Sequence, residues 1–119
     1  MYRTTFDDLE KLEQGWHHGK GNSISEDALE LAKSIHSELE GEAWKENTDF
    51  EIFPLVKGGV QVNYFIGDNE KTVGIEYGTD GGLEVFYFEE SPDEIKSEES
   101  KKNITRDKAI EFTRSKLQQ

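Results

Sequence analysis

Val60-Gln61-Val62-Asn63-Tyr64-Phe65-Ile66 is followed by Thr72-Val73-Gly74-Ile75-Glu76-Tyr77 and then by Leu83-Glu84-Val85-Phe86-Tyr87-Phe88. In each run aliphatic or tyrosine positions alternate with polar, glycine or phenylalanine positions. A strand that turns one side to a core and the other away from it has this period of two. Phe50 to Val56 forms a fourth run. Its Pro54 lacks the amide for a ladder hydrogen bond, so the strand belongs at a sheet edge or a bulge. Gly58-Gly59, Asp68-Asn69 and Gly78 to Gly82 separate the runs with residues that accept positive φ. Short turns between consecutive strands predict a four-stranded antiparallel meander.

Two helices are expected before the sheet. Thr5, with Asp8 three residues on, has the form of a capping box, and Phe6, Leu9, Leu12 and Trp16 recur at helical spacing toward Gly15. The glycine-rich segment Gly15 to Asn22 reads as a loop that lets Trp16 fold back onto the core. In the second helix Ser25 caps, Glu26 and Asp27 suit the positive end of the dipole, and Ile24 can staple to Leu29. Ala28, Leu31, Ala32, Ile35 and Leu39 mark its buried face and Gly41 its stop. A last helix capped by Thr105 carries Ala109, Ile110, Phe112 and Leu117. Between sheet and helix, 89–102 is rich in acids and serine, contains Pro92 and has only Ile95 as an aliphatic residue, so a mobile linker is expected. The fold class is α+β: two N-terminal helices, four strands and a C-terminal helix in a single domain spanning 1–119.

The 119 residues suffice for one core, and a 33% apolar content concentrates that core in the patterned segments. With 26 acidic against 14 basic residues the net charge is −12, which repels nucleic-acid backbones and anionic membranes and attracts a basic partner. The same charge also serves solubility alone. Cysteine is absent, so no disulfide, thiolate metal site or cysteine nucleophile arises. Asp7, Asp8 and Glu10 fall where a signal peptide would be apolar, and no run approaches membrane-spanning length, so the expected location is cytoplasmic.

No catalytic constellation appears. His17 and His18 are adjacent in a loop and lack the spacing and further ligands of a zinc site, and His36 is expected to flank its helix's apolar face. Gly15 to Lys20 is one residue short of a phosphate-binding loop and has no hydroxyl residue after the lysine. Asp68-Asn69-Glu70 and Asp80 read as turn chemistry rather than calcium ligands. No catalytic residue, metal ligand or cofactor is therefore assigned.

Phe53, Phe65, Phe86 and Phe88 point opposite to the main apolar set, among Glu51, Gln61, Asn63, Thr72, Glu76 and Glu84. Two readings compete for these aromatics. The C-terminal helix covers them through Ile110 and Phe112, which is the favoured arrangement, or they form a binding face for a partner or a second copy.

Trp16-x-x-Gly19-x-Gly21-x-x-Ile24-Ser25, together with Pro54-x-x-x-Gly58-Gly59-Val60-x-Val62-x-Tyr64 and Ile75-Glu76, resembles a set of small uncharacterised bacterial proteins with no established activity. The resemblance spans Trp16 to Glu84. His17 and His18 stand where many of those proteins have an acidic residue and glycine, and Ser23 where proline is frequent. It implies a bacterial or phage origin and a helix-plus-sheet core, with the tryptophan as an anchor and the glycines as turns, and it transfers no catalytic residue.

The function expected is a non-catalytic, acidic protein-interaction module: an inhibitor, antitoxin or immunity-type factor, with charge mimicry of DNA as a special case. Its partner would be another protein, basic in character, and a homodimer is compatible with the pattern. The alternative is a small-ligand binder or enzyme with a site near the 16–22 loop, using His17 or His18.

Overall fold

The computed structural model describes residues 5–16, 21–42, 48–66, 71–90 and 95–117. Its elements are α1 (Phe6–Glu10), α2 (Glu26–Glu42), β1 (Thr48–Pro54), β2 (Val60–Ile66), β3 (Lys71–Tyr77), β4 (Leu83–Glu90), β5 (Ile95–Lys102) and α3 (Arg106–Leu117). The strands form one antiparallel sheet in the order β1-β2-β3-β4-β5. The fold is α+β with a meander, as the alternation implied.

The sheet has five strands rather than four. Residues 95–102, expected to lie in an acidic linker over 89–102, pair with β4 from Glu90↔Ile95 to Glu84↔Lys102, with a register shift confined to Glu89/Glu90. An edge strand exposed on both sides needs no apolar alternation. The backbone ladder to β4 supplies its cohesion. One further tie comes from α3, whose Lys116 ammonium lies 2.8 Å from the Glu99 carboxylate and 4.6 Å above the Tyr87 ring. The Lys116 hydrogen bond and charge hold the Glu99 carboxyl below its ordinary value. Burial pushes the Tyr87 hydroxyl up to about 12, with the Glu89 carboxylate adding to the effect.

The helices start where their caps dictate. Thr5 Oγ1 accepts from Asp8 N at 3.3 Å, and Asp8 Oδ2 accepts from Thr5 N at 2.8 Å. The helix they open stops at Glu10 instead of continuing toward Gly15. Ser25 Oγ accepts from Ala28 N at 3.4 Å to begin α2, which runs one residue past Gly41. Thr105 Oγ1 accepts from Lys108 N at 3.3 Å to begin α3. Asn103, at φ 52°, makes the corner between β5 and α3 in the left-handed region that asparagine tolerates.

Both long helices lie on the same side of the sheet, which overturns the expectation that α3 covers the phenylalanine face. Ala109, Ile110 and Phe112 of α3 join Ala28, Leu29, Ala32, Ile35 and Leu39 of α2 in one core with Val60, Val62, Tyr64, Val73, Ile75, Tyr77, Leu83, Val85 and Tyr87. Width explains the arrangement. Strands about 4.8 Å apart make a five-stranded sheet about 20 Å across, and one helix about 10 Å in diameter covers only half of it. α2 packs over β2 and β3, leaving β4 to α3. Arg106 locks the pair, donating from Nη2 to Ser34 Oγ at 2.9 Å and lying 3.1 Å from the Glu38 carboxylate.

His36 is buried within this interface rather than flanking it. Its Nδ1 is 2.9 Å from the Tyr64 hydroxyl, and its ring meets Phe6 edge-on at 5.6 Å and Phe50 at 4.6 Å. Burial drives the Tyr77 hydroxyl well above its ordinary value.

Candidate functional site

With both helices on one side, no helix among the described residues covers the opposite side of the sheet. Strand register sorts its residues into three rows across the five strands. The first row is Asp49, Phe65, Thr72, Phe88 and Glu98; the second is Glu51, Asn63, Gly74, Phe86 and Ser100; the third is Phe53, Gln61, Glu76, Glu84 and Lys102. All four sequence-predicted residues, Phe53, Phe65, Phe86 and Phe88, therefore fall on one surface.

The aromatics do not sit alike. Phe53 is 36% exposed at the β1 edge, whereas Phe65, Phe86 and Phe88 are half-buried. Phe86 lies across Gly74, its direct cross-strand partner. A Cβ at position 74 would fall inside the Phe86 ring, so the glycine is the seat that lets the ring lie flat. Phe88 continues the layer, with its ring 6.2 Å from that of Phe86 and 8° from parallel. This half of the face is pre-set: two nearly parallel rings, that of Phe86 over the Gly74 floor, with Thr72 buried opposite Phe88.

Polar groups surround the rings. Asp49, Glu51, Glu76, Glu84 and Glu98 supply negative charge, and among the described residues of this face only Lys102 is basic. Glu76 and Glu84 stand directly opposite each other, a pairing that costs stability. Lys102, 3.9 Å from Glu84, offsets part of it. Gln61 Nε2 donates to Asn63 Oδ1 at 3.0 Å. The face thus presents apolar rings within an acidic frame. Among the described residues no cluster able to hold a metal ion is found.

Reading the sequence identified the phenylalanines, Glu51, Gln61, Asn63, Thr72, Glu76 and Glu84. It missed Asp49 because the expected first strand starts at Phe50, and Glu98, Ser100 and Lys102 because β5 was not recognised. It also missed the seating role of Gly74, for which a glycine in a strand opposite an aromatic was the available signal.

The 16–22 loop resolves into a structural joint over its described part; His17 and His18 lie outside the described residues. The Trp16 indole covers Gly21, where any Cβ would come within 2.5 Å of the ring, and Nε1 donates to Asn22 O at 2.5 Å. The ring is half-buried and caps the loop instead of entering the core. Asn22 N donates to Val56 O and Ser25 N to Gly58 O, both at 2.8 Å. The tryptophan-glycine motif and the Pro54 to Val60 motif, distant in sequence, are therefore one hydrogen-bonded unit. Gly58, at φ 103°, is held where a Cβ would meet Ser23 O at 2.9 Å. Elsewhere, a shallow cleft of about 350 Å³ opens beside His36, lined by Thr5, Phe6, Asp7, Lys33 and Ser37.

No helix among the described residues is long and apolar enough to cross a membrane. No protein family, curated protein or solved structure compared with the chain matches it.

Proposed function

We propose that the chain is a non-catalytic interaction module whose open sheet face docks a basic protein, in the manner of an inhibitor, antitoxin or immunity-type factor. The observation that carries this reading is the uncovered face itself: phenylalanine rings that neither helix reaches, framed by Asp49, Glu51, Glu76, Glu84 and Glu98. Aromatic rings supply contact area at little entropic cost, and an acidic frame steers a cationic surface and repels an anionic one. A partner of matching chemistry presents an apolar centre within lysines and arginines.

The test is affinity capture from the native cell, run in parallel with the wild-type chain, Phe53→Ser and Glu76→Lys. The expected result is a basic protein in stoichiometric amount on the wild-type chain, lost with Phe53→Ser and weakened at low salt with Glu76→Lys, a deficit that shrinks as salt is raised. Retention of the same partner by both variants, or capture of acidic proteins only, would refute the reading.

A further inference from the structure

The free edge of β5 carries a charge pattern that is complementary to itself. Residues 98–102 read Glu98-Glu99-Ser100-Lys101-Lys102, all exposed. Two copies of an antiparallel edge strand related by a two-fold axis pair residues symmetrically about that axis, with opposing side chains on the same side of the joint sheet. With the axis at Ser100, Glu98 faces Lys102 of the second copy on the open side, and Glu99 faces Lys101 on the helix side, each pair occurring twice by symmetry. Moving the axis to Glu99 or Lys101 places two like charges opposite each other at the centre. The charges thus select one register locally.

We infer that β5 is a homodimerisation edge, joining two copies antiparallel about Ser100 into one continuous ten-stranded sheet.

Three features of the fold support a second copy as the occupant. Residues 95–102 carry three lysines against two glutamates in a chain of net charge −12, so the seam is spared the repulsion that the net charge brings to contacts between acidic surfaces. The helix nearest the edge, α3, packs over β3 and β4, and among the described residues no strand pairs with the outer side of β5. The bulge at Glu89/Glu90 lies at the far end of the strand, so the segment 98–102 is a regular ladder. The opposite edge differs: pairing β1 with itself about Phe50 would set Asp49 against Glu51, and Pro54 closes its end. Such a strand resists self-pairing, and the assembly stops at two copies. Both open faces lie on the same side of the joint sheet, which makes a module with two docking faces.

Sedimentation equilibrium of the full chain tests the inference, using Glu98→Lys, Lys102→Glu and their equimolar mixture. Wild type is expected to reach twice its monomer mass with a dissociation constant in the micromolar range. Each single variant converts opposed charges into like ones and should weaken the dimer about tenfold. The mixture restores every pair and should restore the dimer. Circular dichroism of each variant establishes that it is folded, and the wild-type mass stands as a readout that needs no variant. A wild-type chain that stays monomeric overturns the inference, as does open-ended growth, a dimer indifferent to both substitutions, or a mixture that fails to recover.

Discussion

The two sides of this sheet are built from the same strands, alternate residue by alternate residue, yet they differ in kind. On the helix side Val60, Val62, Val73, Ile75 and Val85 are fully buried against α2 and α3. On the other side phenylalanine alternates with glutamate, glutamine and asparagine, and Phe53 is left exposed. Aliphatic β-branched residues fill a closed interior, whereas flat rings among carboxylates suit a surface that is covered only part of the time. The contrast places the packed core on one side, and the proposed docking uses the other.

The largest test of that contrast is a pair of truncations. Ile75→Ala removes a fully buried side chain between the sheet and both helices, and should cost about 2–5 kcal/mol in denaturant unfolding. Phe86→Ala, on the adjacent strand but on the open side, should cost clearly less because its ring is half-buried while reducing partner capture strongly. Equal losses of stability for the two variants would show that the open side is core.

Gly74→Ala sharpens the comparison at a single atom. A Cβ there would displace the Phe86 ring, so the variant should lose about 1–3 kcal/mol. In the Phe86→Ala background the same substitution meets no ring and should cost much less. A double-mutant cycle measures that coupling, and additive costs would show that the ring does not rest on the glycine.

How much of this was legible depended on which residues carry a periodic signal. The helix side of β2, β3 and β4 was readable because Val60 to Tyr87 repeat every second position within each strand. β5 was not, since Glu98 to Lys102 are exposed on both sides and the strand is held by backbone bonds and by Lys116. The pattern Ala109, Ile110, Phe112 showed which face of α3 is apolar, but amphipathicity does not say which side of a sheet a helix joins. Sheet width decided that, and the missing fifth strand concealed the width. His36 followed Leu29 and Ala32 on the buried stripe of α2. That spacing could have marked it as interior, but a lone histidine carries no sign of the Tyr64 hydroxyl that receives it.

The smallest effect concerns how the polar fifth strand is tied to the helix side. Lys116 holds the Glu99 carboxyl below its ordinary value through a hydrogen bond and charge. A carboxylate depressed in the folded state contributes stability above its unfolded pKa and loses that contribution as the pH falls through its folded value. Lys116→Met keeps an unbranched side chain over Tyr87 but removes the charge, so it deletes both the ion pair and the cation–π contact at 4.6 Å. The stability difference between wild type and this variant should be largest near neutral pH and should shrink as Glu99 is protonated. Only the cation–π share, which does not titrate with the carboxyl, should persist in acid. Both groups stand in reach of solvent, so added salt should shrink the ion-pair share further. Denaturant midpoints of the two proteins from neutral to acidic pH provide the measurement. A difference that stays constant across that range would show that Lys116 acts through the Tyr87 ring of β4 and that its pair with Glu99 does not tie β5 to the helix.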